Sequence, residues 1–362
     1  SAQPGYPAIA IPSSGGTVNI KNGAILKNVI QMRGGTVPAA LNISGGTIDV
    51  NGDFIVKASD ANSEISVTGG TFKVNPLTLG YTTSECITAN EEAGTWTVNT
   101  EGHKFGADGM CIFNCGAANN NKFTCKAGCQ NVVWLPMNAA KTIDDGNHHH
   151  YYLTDTITSA IKVSNGTLCL HLNEHTIENY IDVNGGTAFL NIMGTGRIEA
   201  TVDGADGTIE AFRGGTVNLY GGTIDSINDR YALIAAGSGG TFNIYTGTTV
   251  TDTVVMRGGE GTPAILNVYG GNFTSIAKSS DGVQTISVSG GTFVENPTEF
   301  LADGYGIQPV DGKFVVGEAV VGSFADGVLV IENGAHRLNT NIKNFEFVND
   351  IKVEILDKDG NV

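Results

Sequence analysis

The chain has 362 residues, 50 of them glycine, with 41% hydrophobic residues and a formal net charge of −16. Glycine at that level without a Gly-X-Y period excludes a collagen triple helix, and the hydrophobic share is enough for a core. With 20 basic against 36 acidic side chains, the chain lacks the basic footprint that nucleic acid or an anionic membrane surface needs. A neutral polymer such as a polysaccharide stays open as a partner.

No run of apolar residues is long enough to cross a bilayer. The opening Ser1-Ala2-Gln3-Pro4 reads as a processed end without a leader. The first organised stretch is Ser14-Gly15-Gly16-Thr17-Val18-Asn19-Ile20. The chain returns to it at Gly45-Gly46-Thr47, Gly69-Gly70-Thr71, Gly185-Gly186-Thr187, Gly214-Gly215-Thr216, Gly239-Gly240-Thr241 and Gly290-Gly291-Thr292. A glycine pair turns a corner, and the alternating run behind it has the period of a strand with one buried face. Turn and strand repeated without helices predict a solenoid in which strand stacks on strand. At about 4.8 Å per strand, a dozen coils would form a rod of roughly 60 Å.

Residues 1–81 hold the first β-helix run. A second copy spans about 232 to 305: Pro38-Ala39-Ala40-Leu41-Asn42-Ile43 matches Pro263-Ala264-Ile265-Leu266-Asn267-Val268, and both copies run on to Asn-Pro and Gly-Tyr. Val18, Ile20, Ile43, Ile48, Val50, Val217, Leu219 and Ile244 are expected inside, with Asn19, Asp49, Asn218 and Asn243 facing solvent. Residues 82–150 lose the punctuation and read as a Cys/His insert or small subdomain. Coils resume at Tyr151 and continue to 320. Residues 321–362 read as a C-terminal cap or the start of a further module, with a hairpin strand expected over 353–360.

The phrases Tyr152-Leu153-Thr154, Leu168-Cys169-Leu170 and Glu174-His175-Thr176-Ile177 resemble right-handed parallel β-helix modules, pectin-lyase-like in architecture, of large secreted and surface proteins from gut anaerobes. His103 to Cys111-Ile112-Phe113-Asn114-Cys115 is similar to the short His/Cys insert that precedes such modules. The family phrase carries Asn-Gly before its histidine; Asn173-Glu174 stands here instead, so that corner is expected to differ. The resemblance implies an extracellular or cell-surface bacterial setting within a larger multidomain protein. It also implies kinship with non-catalytic modules that bind xylan beside a xylanase.

Cys111-x3-Cys115 and Cys125-x3-Cys129 are the sharpest local signal. Two such pairs hold a tetrahedral zinc ion through thiolates, with His103 as an alternative ligand, or else form two disulfides. Cys86 and Cys169 read as buried core residues or a separate pair. His148-His149-His150 reads as a solvated loop, since three adjacent histidines cannot face one ion. His171 and His175 read as structural residues at a coil corner.

A β-helical hydrolase needs two carboxylates facing one bond. Asp144-Asp145 is the only adjacent aspartate pair, and the Asn-Thr-Asp, His-Gly and Arg-Ile-Lys phrases of polygalacturonases are absent. Carboxylates on successive coils nevertheless meet in space, so a lyase or hydrolase stands as an alternative. The expected function is non-catalytic binding of a plant polysaccharide, xylan first. Its candidates are the aromatic side chains Trp96, Trp134, Tyr151, Tyr152, Tyr180, Tyr220, Tyr231, Tyr245 and Tyr269. Arg33, Arg213 and Arg257 share one repeat position and read as corner residues. A structural or adhesive surface stalk is the other alternative.

Overall fold

A computed structural model describes residues 6–58, 62–82, 86–99, 101–201, 206–227, 231–259, 262–280 and 282–318, together with the backbone of strands Val328–Glu332 and Ala335–Asn339. The described residues are strands and turns apart from one 3-10 turn, Thr298–Phe300. No helix among them is long and apolar enough to cross a membrane. The chain divides into two compact units: residues 1–124 with 131–135, and residues 125–130 with 136–362. The stretch 82–150 therefore contributes to both. The expected strand over 353–360 lies outside the described residues.

Unit 1 is a parallel β-solenoid with three faces. Ile9–Ile11, Ile30–Met32 and Ile55–Lys57 stack on the first face. Gly16–Ile20 stacks on the first half of Ala39–Ile48, which stacks on the first half of Ser63–Phe72. Ile25–Leu26 and the second halves of those two long strands make the third face. The alternation puts Ile20, Leu41, Ile43, Ile48, Val67 and Phe72 into one core, with Val18 and Val50 half-buried at its edge.

Unit 2 repeats the plan. On its second face residues 148–152, 167–171 and 188–193 are followed by Thr216–Leu219, Gly240–Ile244, Ala264–Val268 and Gln284–Val288, all parallel. The inward position runs Leu168, Leu190, Val217, Phe242, Leu266, with steps of 22, 27, 25 and 24 residues. Every one of these side chains is fully buried.

The internal duplication extends into how each solenoid closes. In unit 1, Gly70-Thr71-Phe72 pairs antiparallel with Val98, Thr97 and Trp96 of a hairpin over 87–98. In unit 2, Gly291-Thr292-Phe293 pairs antiparallel with Val316, Val315 and Phe314 of a hairpin over 305–318. An antiparallel hairpin blocks the open edge that a parallel stack leaves behind.

The glycine pairs occupy two corners of the coil. Gly45-Gly46, Gly69-Gly70 and Gly290-Gly291 turn between second and third faces; Gly15-Gly16, Gly214-Gly215 and Gly239-Gly240 turn between first and second. At the corner where Asn173-Glu174 replaces the family phrase, both residues take left-handed φ, 48° and 67°. That corner supports backbone conformations usually left to glycine.

At some corners the constraint is closeness to the next coil. A Cβ on Gly215 would lie 2.2 Å from the Val183 carbonyl oxygen, whereas one on Gly186 would meet nothing within 4 Å. Gly215→Ala is expected to cost unit 2 about 1–3 kcal/mol, as overpacking does, and Gly186→Ala to leave stability unchanged. Thermal unfolding of the two variants checks the contrast.

Candidate metal centres

The six cysteines and two histidines converge into two four-donor clusters, one in each unit: Cys86, His103, Cys111 and Cys115, and Cys125, Cys129, His150 and Cys169. Within each cluster all donor atoms lie within 4.8 Å of one another. This corrects the expectation that Cys111, Cys115, Cys125 and Cys129 share one ion. Each Cys-x3-Cys pair instead has its own cluster and recruits a histidine and a distant cysteine. Cys86 and Cys169 are buried in the core as expected, and each also belongs to one of the two four-donor sets.

Both Cys-x3-Cys segments are turns with a left-handed residue just before the second cysteine. In the first, Asn114 takes φ 52° and its N–H bonds the Cys111 carbonyl at 3.1 Å. In the second, Gly128 takes φ 83° and its N–H reaches the Cys125 carbonyl at 3.4 Å. Asparagine and glycine tolerate that conformation best.

In unit 1 the Cys111 turn is held by its N–H to the Ala117 carbonyl at 2.8 Å. Cys86 lies at the entrance to Ile87–Asn90, where the Asn99 side chain donates to its carbonyl at 3.1 Å. Cys86 Sγ is 3.8 Å from Cys115 Sγ, and Cys115 Sγ is 3.4 Å from His103 Nδ1. Phe105 and Phe113 pack against the cluster.

In unit 2 the strand register makes the site. Residues 142–153 form a strand, so the three histidines are not a solvated loop. Alternation puts His149 on the other side, where Nε2 meets Asp145 at 3.0 Å. The parallel pairing sets His150 directly beside Cys169. Cys125 Sγ lies 3.9 Å from Cys169 Sγ. The His148 ring stacks on His150 at 4.4 Å, and its Nε2 is 3.2 Å from Cys169 Sγ and 3.6 Å from Cys129 Sγ. His148 thus lies at the rim of the cluster, beside its four donors. An offset of nineteen residues aligns His150-Tyr151-Tyr152-Leu153 with Cys169-Leu170-His171-Leu172, a signal the sequence carried.

A tetrahedral zinc ion, with bonds of ~2.3 Å to sulfur and ~2.05 Å to nitrogen, separates two sulfurs by ~3.8 Å and sulfur from nitrogen by ~3.5 Å. The observed separations fall around those edges. All six cysteines are free, and bonded sulfurs would lie at about 2.05 Å.

Burial, then the neighbouring Cys115, pushes the Cys86 pKa up to about 12. Burial alone would also raise Cys111, but N–H donation from Phe113 and the Cys115 thiol bring it below its usual value. The Cys169 thiol draws Cys125 down to about 3, while burial and Cys125 push Cys129 up to about 11. In each cluster one thiol is thus lowered and its neighbours are raised, because packed like charges repel. Burial lowers His103 and His148, leaving neutral imidazoles with lone pairs for a metal.

The aromatic candidates scatter. Trp134 is fully buried, with Nε1 directed at Asn120 Oδ1 at 3.3 Å and Phe123 edge-on. Tyr151 and Tyr152 are buried too, so none of the three presents a ring face to a partner. Trp96, Tyr180 and Tyr231 are half-buried. Tyr220, Tyr245 and Tyr269 form one stack on successive coils, with centroids 4.5 and 5.0 Å apart. Asn218 and Asn243, expected in solvent, are half-buried in a side-chain ladder.

Successive coils do bring carboxylates together. Asp182 and Glu210 are register neighbours on the first face of unit 2. Burial raises both above the usual carboxylate range; Lys162 opposes the shift at Asp182. No protein-family model matches the chain, and neither a curated protein nor a solved structure matches it.

Two measurements test these electrostatics. Zinc uptake at pH 7 is expected to release protons at both sites, because the raised thiols must ionise to ligate. Affinity then rises with pH, and titration calorimetry in buffers of different ionisation heat reads the count. For Asp182 the folded state binds its proton more tightly than the unfolded state, so its contribution to stability is present below about pH 3.9 and is lost as pH rises. Asp182→Asn is therefore expected to raise the unfolding temperature at pH 7 and to leave it unchanged at pH 3.

Proposed function

We propose that this chain is a non-catalytic β-solenoid scaffold in which each unit is clamped by one structural zinc ion, and that unit 2 binds a polysaccharide along its second face. The observation that carries the zinc reading is the convergence of all six cysteines with two histidines into two sets of four donors. Four protein donors leave no open position for substrate or water, which suits a structural ion and not a catalytic one. Thiolate-rich sets also favour zinc over magnesium or calcium.

The clamp answers a local need. In unit 2 it ties the loop 125–130 to the strands carrying His150 and Cys169; in unit 1 it ties the loop 103–115 to the start of the closing hairpin. Neither loop has the apolar alternation that would bury it. A metal holds such segments at little cost in core volume.

The polysaccharide reading rests on the end of the tyrosine stack. Tyr269 is 50% exposed. The next coil places Ser289 beside it, so no ring covers its outer face. A pyranose ring can continue the stack there, with Asn267 at hand for hydroxyl groups. Xylan is the first ligand to test, as part of a larger bacterial protein outside the cell or on its surface. A stalk that only spaces other domains, or a lyase or hydrolase, would show instead as no retardation or as product release.

Metal analysis of purified chain is expected to give two zinc ions per molecule, one in Cys169→Ser, and a lower unfolding temperature after chelation. In affinity gels, soluble xylan is expected to retard the chain, and Tyr269→Ala to reduce the retardation several-fold. A panel of soluble glycans that all leave mobility unchanged removes the binding half of the proposal and leaves the zinc half standing.

A further inference from the structure

The second face of unit 2 carries asparagine at one register position on four successive strands: Asn191, Asn218, Asn243 and Asn267. Their amides join head to tail. Asn267 Nδ2 donates to Asn243 Oδ1, Asn243 Nδ2 to Asn218 Oδ1, and Asn218 Nδ2 to Asn191 Oδ1, each at 2.8 Å. The same register position one coil earlier is Cys169. There the row ends: Asn191 Nδ2 donates to Cys169 Sγ at 3.4 Å.

A row of amides alone would be a habit of stacked coils. In unit 1, Asn42 Nδ2 donates to Asn19 Oδ1 at 3.0 Å, exposed, with no described cysteine beside it. The unit 2 row differs at its end, where Asn191 is 5% exposed and meets a metal-site sulfur. A metal-bound thiolate can only accept. Such an acceptor matches the Asn191 NH2 that faces it and leaves Oδ1 for the next coil, in the head-to-tail sense the whole row keeps. Each amide then points its positive end at Cys169, and hydrogen bonds linked this way polarise one another.

We propose that Asn191, oriented by this amide row, is a positioning residue for the unit 2 metal site: it fixes the Cys169 sulfur as a thiolate donor and raises that site's affinity above what its four ligands alone give. The inference rests on the zinc reading. Partners of this kind, beyond the ligands themselves, govern metal affinity by about 10–100-fold.

The test uses the whole chain, with zinc affinity from chelator competition and cobalt(II) as the spectroscopic probe. Two equivalents bound by the native chain, one lost in Cys169→Ser, establish the zinc reading first; any other result there defeats that reading and this inference with it. Asn191→Ala is then expected to weaken one equivalent by about 10–100-fold, to shift the cobalt–thiolate charge-transfer band of that site, and to leave the other equivalent unchanged. Asn218→Ala, which keeps Asn191 but frees its amide, is expected to give a smaller loss at the same equivalent. Native affinity with an unshifted band in Asn191→Ala overturns the proposal, as does equal weakening of both equivalents. If Asn191→Ala does not fold, an unaltered affinity and band in Asn218→Ala overturns it.

Discussion

The spacing between stacked parallel strands governs this protein. At about 4.8 Å per coil, each side chain lies against the residue at its own register position above and below. Like then packs on like. Leucine, valine and phenylalanine fill the inner positions of the second face, tyrosines stack at one of its corners, and asparagines join along its outer side. The same spacing brings backbone of one corner against backbone of the next. That is why glycine sits at Gly215, 2.2 Å from a carbonyl oxygen if it had a Cβ. Corner glycines here answer two demands, left-handed φ at some positions and bare proximity at others.

Much of the architecture was legible because the stacking writes itself into the sequence as repetition. The period-two runs after Gly-Gly-Thr located strands, and the copy between 8–81 and 232–305 located equivalent coils. The two corners were not distinguished, because both use the same Gly-Gly-Thr phrase. The candidate metal-ligand sets were half legible. Cys111, Cys115, Cys125 and Cys129 stood out by spacing, yet adjacency in sequence suggested one shared ion. Their partners come from register and turn geometry: Cys169 reaches its cluster because it lies beside His150 across two parallel strands, which the sequence records only as the nineteen-residue offset between them. Trp134, Tyr151 and Tyr152 misled for a related reason. Aromatic residues in a glycine-rich chain read equally well as exposed platforms or as the rare large side chains available to fill a core, and here they fill it.

The two Cys-x3-Cys turns show how unlike sequences meet one requirement. Cys-Ile-Phe-Asn-Cys and Cys-Lys-Ala-Gly-Cys share only their ends and a residue able to take left-handed φ before the second cysteine. That residue reverses the chain so that both sulfurs face the same point. One residue more than Cys-x2-Cys is what such a turn needs. The donors then complete in opposite order: cysteine and histidine precede the turn in unit 1 and follow it in unit 2.

The position of each cluster along its solenoid follows from where stacking fails. A coil in the middle of a stack has neighbours on both sides and needs no other support. The unit 1 cluster forms beside the hairpin that closes the last coil, and the unit 2 cluster lies on the first two strands of its second face. These are end coils, where the regular repeat gives way to irregular loops. Apolar contacts such as those of Phe105 and Phe113 order these loops in part. Four short bonds to one ion would complete the task, since they need direction and not volume. Both units close their last coil with an antiparallel hairpin through three register pairs, and no described cysteine lies beside the one that closes unit 2.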